Sequence, residues 1–247
     1  QIFDDIQVHE NIRFREGGRI AWAIRKNSPQ LKKAINSFWK KNKKGTLLGN
    51  VLFNRYLKNT RYVRNHYTET DQQRLETTSV FFKKYGDLYD FDWLMLAALA
   101  YQESTIDQSK RSRQGAVGVM QVLPSTASDK NIGIADIEKI EPNIHAGTKY
   151  LRFLMDQYFS DPAINELDQL LLSFAAYNAG PRKIARLRKQ AANSGLDPNV
   201  WFRNVEIVAA KIIGRETVQY VSNIFKYYIA YRLIFDKQAA AQAGKAS

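Results

Sequence analysis

The sequence predicts a mainly α-helical fold carrying a short hairpin or loop, preceded by a partial α/β module. Three observations predict it. From Leu94 to Tyr101 the chain is unbroken apolar sequence rich in Leu and Ala, strong helix formers, and it stops at Gln102, Glu103 and Ser104. Tyr150, Leu151, Leu154, Met155 and Tyr158 fall on one stripe at helical spacing. Between these helices, Gly115 and Gly118 punctuate a short apolar stretch, which reads as a tight turn or short hairpin.

In chain order, Arg19–Arg25 alternates large and small apolar residues, a strand pattern. Asn27-Ser28-Pro29 offers a cap followed by Pro at the first helical position. Leu31, Ala34, Ile35 and Phe38 continue that helix, a basic run covers Lys40–Lys44, and Gly45 stops it. Residues 1–45 are therefore one α/β piece that must pack on something else. Residues 46–70, polar and rich in Arg and Tyr, read as a linker. Interleaved Arg and Tyr also suit base stacking, but no helix-turn-helix or RNA-binding motif accompanies them, so no nucleic-acid partner is expected.

The main domain then spans residues 71–240. Thr70-Asp71-Gln72-Gln73 resembles a capping box opening a helix to about Tyr85, with Gly86 as its stop. Asp90 reads as the cap of the apolar helix. Pro124 restarts a short helix, and Asn143 reads as the cap of the helix bearing Tyr150. Leu167–Asn178 forms another, stopped at Gly180, and Pro181 opens a basic helix ending near Gly195. The last helix runs from Glu216 to about Gln238, beyond which an Ala/Gln/Gly/Lys tail frays. There is no internal repeat.

The apolar helix is too short to span a membrane, so burial in a globular core is expected. Glu103 then sits at its inner end. Loss of solvent and the negative end of the helix dipole both raise its pKa. A carboxylic acid held protonated near neutrality can give a proton to a leaving oxygen. The bland reading is a solvated Glu at a helix end.

Composition sets limits. Of 247 residues, 45% are hydrophobic, enough for a core, and the formal net charge of +13 points to an anionic partner without choosing one. No cysteine is present, which excludes thiolate catalysis and disulfides. His9, His66 and His145 lack ligand spacing, so no metal is expected. The chain opens at Gln1 without an initiator Met, which suits a piece of a longer precursor.

Three motifs stand in order: Glu103-Ser104, then Gly118-Val119-Met120-Gln121 followed by Pro124-Ser125-Thr126-Ala127, then Ala175-Ala176-Tyr177-Asn178-Ala179-Gly180. With Glu216-Thr217-Val218-Gln219-Tyr220-Val221 they resemble the soluble lytic transglycosylase family, which has a goose-type lysozyme-like fold. The likeness covers about residues 75–235, and Val119 stands where that family usually has Leu. Residues 1–45 resemble the last strand and helix of a periplasmic solute-binding domain. Together the domain order is similar to that of a membrane-bound subgroup of the family.

The resemblance implies non-hydrolytic cleavage of the β-1,4 bond between N-acetylmuramic acid and N-acetylglucosamine in peptidoglycan, giving 1,6-anhydromuramoyl ends without a cofactor. Glu103 would be acid and then base. Ser104 would bond Glu103 or the sugar, Met120 would floor the scissile bond, and Gly118, in the turn, would bind substrate. Gln121 and Asn178 would hold glycan polar groups, Tyr177 would face the acetamido group, and Tyr220 would support Glu103. Read as residues alone, Met120 and Tyr177 also suit core packing and Asn178 a helix cap. Asp107, the nearest other carboxylate, reads as a loop cap. Two alternatives of other classes stand beside this: a hydrolytic lysozyme and a non-catalytic peptidoglycan-binding module. The resemblance further implies a periplasmic location, outer-membrane attachment through an N-terminal anchor that this chain does not contain, and a muropeptide regulator at the missing solute-binding portion.

Overall fold

The structure, a computed structural model, describes residues 24–43, Thr46 and residues 69–243. The chain divides into two compact units, Gln1–Glu69 and Thr70–Ser247. The expected strand at 19–25, the stop at Gly45 and the linker at 46–70 lie almost wholly outside the described residues. In the first unit, α1 (Pro29–Asn42) starts at the Ser-Pro pair, although the Ser28 side chain makes no capping bond.

The second unit is helical: α2 (Glu69–Tyr89), α3 (Trp93–Ser104), α4 (Pro124–Ala127), α5 (Ile140–Tyr158), α6 (Glu166–Ala179), α7 (Pro181–Asn193), an irregular turn at Trp201–Val205, α8 (Glu206–Ile212) and α9 (Glu216–Ala243). Its centre is α3, whose residues Leu94–Tyr101 are all buried. Burying each large apolar side chain there contributes about 1.5–3 kcal/mol, enough to offset one costly carboxyl at the helix end. α9 packs along α3 and also meets α6, which packs in turn on α5 and α7. The motifs of separate helices thereby converge on the end of α3.

Several boundaries differ from expectation. α2 starts at Glu69, so Thr70 lies in its first turn rather than capping it. It also runs through Gly86, where an added Cβ would stand 2.8 Å from the Phe91 carbonyl. Close chain approach, rather than helix termination, is what needs glycine there. Asp90 is not the cap of α3: it takes a left-handed φ of 56° in the connecting turn. Asp92 caps instead, accepting from the Leu94 amide at 2.9 Å. Asn143 is not a cap either, since α5 begins at Ile140 and Asn143 is fully buried. α6 begins at Glu166, capped by Asn165, and α9 continues past Gln238 to Ala243. The expected hairpin appears as two isolated antiparallel bridges, Arg111–Val117 and Val117–Val122.

Candidate active site

Glu103 occupies the last turn of α3. The chain leaves that helix sharply because Thr105 and Ile106 both take left-handed φ values, 58° and 56°. β-branched residues rarely do so, and such strain persists only where surrounding bonds hold it. Here the Thr105 amide donates to the Tyr101 carbonyl at 2.9 Å, the Asp107 amide donates to Ser104 Oγ at 3.0 Å, and Arg74 donates to the Thr105 carbonyl at 3.2 Å.

Burial pushes the Glu103 pKa up to about 7, and a hydrogen bond from the Tyr220 hydroxyl opposes that rise. Half of such a group is protonated near neutrality, the condition a general acid needs. Burial likewise raises the hydroxyls of Tyr177 and Tyr220 well above the ordinary tyrosine range, so both stay neutral donors.

Beside Glu103 lies the glycine turn. Gly118 has φ 77°, and a Cβ there would come within 2.6 Å of the side-chain amides of both Gln108 and Asn143. Glycine is required twice, by conformation and by space. The Val119 amide donates to Gln108 Oε1 at 3.1 Å and the Met120 amide to Asn143 Oδ1 at 2.8 Å. The Val119 carbonyl accepts from Ser104 Oγ at 2.8 Å, and the Met120 carbonyl accepts from Tyr177 Oη at 2.7 Å.

These bonds correct several expected roles. Ser104 is buried, and its hydroxyl ties the end of α3 to the turn rather than bonding Glu103. Met120 is fully buried and does not floor the cleft: its side chain fills the space where a Cβ on Gly147 would stand, 2.5 Å from Met120 Cβ. Tyr177 directs its hydroxyl at the turn's backbone, and its ring centre lies 5.2 Å from that of Tyr150. Gln121, at φ 47°, donates to the Gly118 carbonyl at 2.8 Å, closing the turn on itself. Asp107 is a loop cap, accepting from the Ser109 amide at 2.9 Å and the Ser109 hydroxyl at 2.7 Å. The Ser109 hydroxyl bond and then its backbone bond hold the Asp107 carboxyl below its usual range, with Arg74 and Lys110 adding to them.

An open cleft of about 380 Å³ is lined by Gln102, Glu103, Asn178, Glu216, Gln219, Tyr220 and Asn223. Of the expected residues, then, Glu103, Asn178 and Tyr220 face one space, while Ser104, Gly118, Met120 and Tyr177 form the scaffold of the turn. Exposed Asn178 accepts from Thr217 Oγ1 at 2.8 Å, which joins the end of α6 to the start of α9. Gln102, Glu216, Gln219 and Asn223 were not anticipated. The signal was present: Glu216, Gln219, Tyr220 and Asn223 recur at i, i+3, i+4 and i+7, a polar stripe on a largely apolar helix. Among the described residues, no group of three or more His, Asp or Glu is placed to hold a metal ion.

Helices packed around a central apolar helix that ends in an acid beside a glycine turn form a lysozyme-like fold. Residues 81–199 match the family model described as Transglycosylase SLT domain, and the helical unit belongs to that family. A membrane-bound lytic murein transglycosylase F of Desulfosudis oleivorans is 32% identical over 228 residues, covering 85% of this chain and 49% of that protein. That match is longer than the helical unit alone can supply. One of the same name from Pseudomonas fluorescens is 33% identical over 171 residues, covering 64% of this chain and 34% of that protein. The chain thus spans between a third and a half of the length of these relatives. The solved complex of a 70-kDa soluble lytic transglycosylase with bulgecin A aligns with TM-score 0.52 and 25% identity, over 83% of this chain and 34% of that one.

Proposed function

We propose that the helical unit is a peptidoglycan lytic transglycosylase, with Glu103 as its one acid and base. The observation that carries this is a carboxyl raised to about 7, in the cleft and hydrogen-bonded by Tyr220. The family and the names of its relatives support the same reading.

Protonated Glu103 gives its proton to the glycosidic oxygen as the bond from that oxygen to muramoyl C1 breaks. The N-acetyl carbonyl of the same sugar stabilises the cationic C1. Glu103, now a carboxylate, takes the proton of the sugar's 6-hydroxyl as O6 bonds to C1. The product is a 1,6-anhydromuramoyl end, no water is consumed, and Glu103 is again protonated. The intramolecular attack draws on high effective concentration. Asn178, with Gln102, Gln219 and Asn223, presents side-chain amides to the glycan's acetamido and hydroxyl groups. Gln121 joins the turn's own scaffold in this scheme.

A second reading is hydrolysis by a lysozyme-type route. One observation favours it: Glu216 lines the same cleft, and two carboxylates are what hydrolytic glycosidases use. Product analysis of intact sacculi by mass spectrometry separates the two. Anhydro ends support the transglycosylase, and reducing ends overturn it. A Glu103→Gln control that binds sacculi without turnover supports the acid's role, and equal turnover in it removes that role. The related soluble enzyme is solved with bulgecin A, so the same compound is the ligand to titrate against this cleft.

The names of the relatives also support periplasmic action on peptidoglycan strands and attachment to a membrane. By the sequence resemblance, residues 1–45 are the end of a solute-binding module, and the remaining portion of such a module would take a muropeptide regulator. Activity compared with and without that portion, plus and minus muropeptide, tests this, and identical rates would remove it.

A further inference from the structure

We propose that Gln108 and Asn143 are paired positioning residues for Glu103, acting through the backbone of the Gly118–Met120 turn. The proposal rests on the reading of Glu103 as the acid.

Six backbone groups, the amides and carbonyls of Gly118, Val119 and Met120, are all bonded within the protein. Two of those bonds lead straight to the surroundings of Glu103. Ser104, its chain neighbour, is anchored on the Val119 carbonyl, and Tyr177 on the Met120 carbonyl. The Met120 carbonyl shares its peptide with the Gln121 amide, which donates to the Gly118 carbonyl within the turn. The Val119 carbonyl shares its peptide with the Met120 amide, which donates to Asn143, and the peptide before it is held by Gln108, which accepts from the Val119 amide. The same two side chains donate onward. Gln108 Nε2 reaches the Ile137 and Glu138 carbonyls at 3.0 Å each, and Asn143 Nδ2 reaches the Val117 carbonyl at 2.8 Å and the Ile137 carbonyl at 2.9 Å. Ile137 therefore receives both, and the two amides grip the turn from separate segments of chain, the loop after α3 and helix α5.

Only a carboxamide can do this work. Each site needs one acceptor and two donors in one flat group. A carboxylate would face two carbonyl oxygens, and an apolar side chain would leave the Val119 amide (at Gln108) or the Met120 amide (at Asn143) without its partner. Gly118 lies between the two amides with no room for a Cβ, so the glycine of the motif and the pair of amides form one device.

The test uses Asn143→Ala and Gln108→Ala in the full chain, with wild type and Glu103→Gln as references. Turnover of soluble glycan strands gives kcat and KM, and a ¹³C titration of the Glu103 carboxyl reports its environment without requiring turnover. The expected result is native near-ultraviolet circular dichroism, KM close to wild type, kcat lower by roughly 10- to 100-fold, the scale of a sub-ångström to ångström misplacement. The Glu103 midpoint moves toward the ordinary carboxylate range. Folded variants with wild-type kcat and an unmoved midpoint would overturn the proposal. If wild type itself shows no turnover, the reading of function fails, and the titration alone decides whether the pair positions Glu103. Gln108 is only partly buried, so its variant carries the test if Asn143→Ala does not fold.

Discussion

The Tyr220 hydroxyl donates a hydrogen bond to Glu103 Oε1, joining the last long helix to the end of the central one. That bond favours the charged carboxylate and so works against the rise that burial imposes. Tyr220→Phe should therefore raise the Glu103 pKa further and move the alkaline limb of the pH–rate profile to higher pH. Loss of one buried hydrogen bond should cost about 1 kcal/mol of stability. An alkaline limb that stays in place or moves to lower pH would contradict the assignment.

The raised pKa also makes stability depend on pH. Between 4.5 and about 7 the folded state keeps a proton on Glu103 that the unfolded chain has released. This group carries no penalty below that window. Its penalty grows as pH rises through the window and is complete above it, at roughly 3 kcal/mol. Glu103→Gln should thus melt with wild type at pH 4 and at a higher temperature than wild type at pH 8. A melting difference that is equal at both pH values would refute this.

Gly118→Ala should destabilise the helical unit by more than about 2 kcal/mol, since it adds left-handed strain to a clash with two amides. Chemical denaturation measures it, and a loss below 0.5 kcal/mol would mean the turn can shift freely.

Gly147→Ala meets the side chain of Met120 and should cost about 1–3 kcal/mol by overpacking. Adding Met120→Ala should recover part of that loss in a double-mutant cycle. Additive losses would show that the two do not share one space.

Asp92→Ala removes the cap of α3 and also the acceptor for Tyr228 at 2.9 Å and Arg232 at 3.3 Å. A stability loss of about 1–2 kcal/mol is expected, with the pKa of Glu103 unchanged because the other end of the helix is affected. A shift in that pKa would show that the cap is felt along the whole helix.

What the sequence made legible follows from how each residue signals. The core helix was readable because Leu94–Tyr101 is apolar all round, and only a buried helix tolerates that. The turn was readable because Gly115 and Gly118 leave few alternatives. Asn143 was not, because a polar residue near a helix start looks like a cap whether its side chain turns back on its own helix or reaches across to another segment. Met120 and Ser104 sit in the motifs, but which way a side chain points is decided by packing, here against Gly147 and the Val119 carbonyl. The cleft stripe on α9 was readable in principle by its spacing, yet nothing in the sequence says which helix it will face.

The saturated turn has a consequence for recognition. With the Gly118–Met120 amides already engaged, the turn has no backbone donor left to offer, and the polar groups that line the cleft beside Glu103 are those of Gln102, Asn178, Glu216, Gln219, Tyr220 and Asn223. A ligand built for this cleft gains by presenting its polar groups to those side chains rather than to the turn.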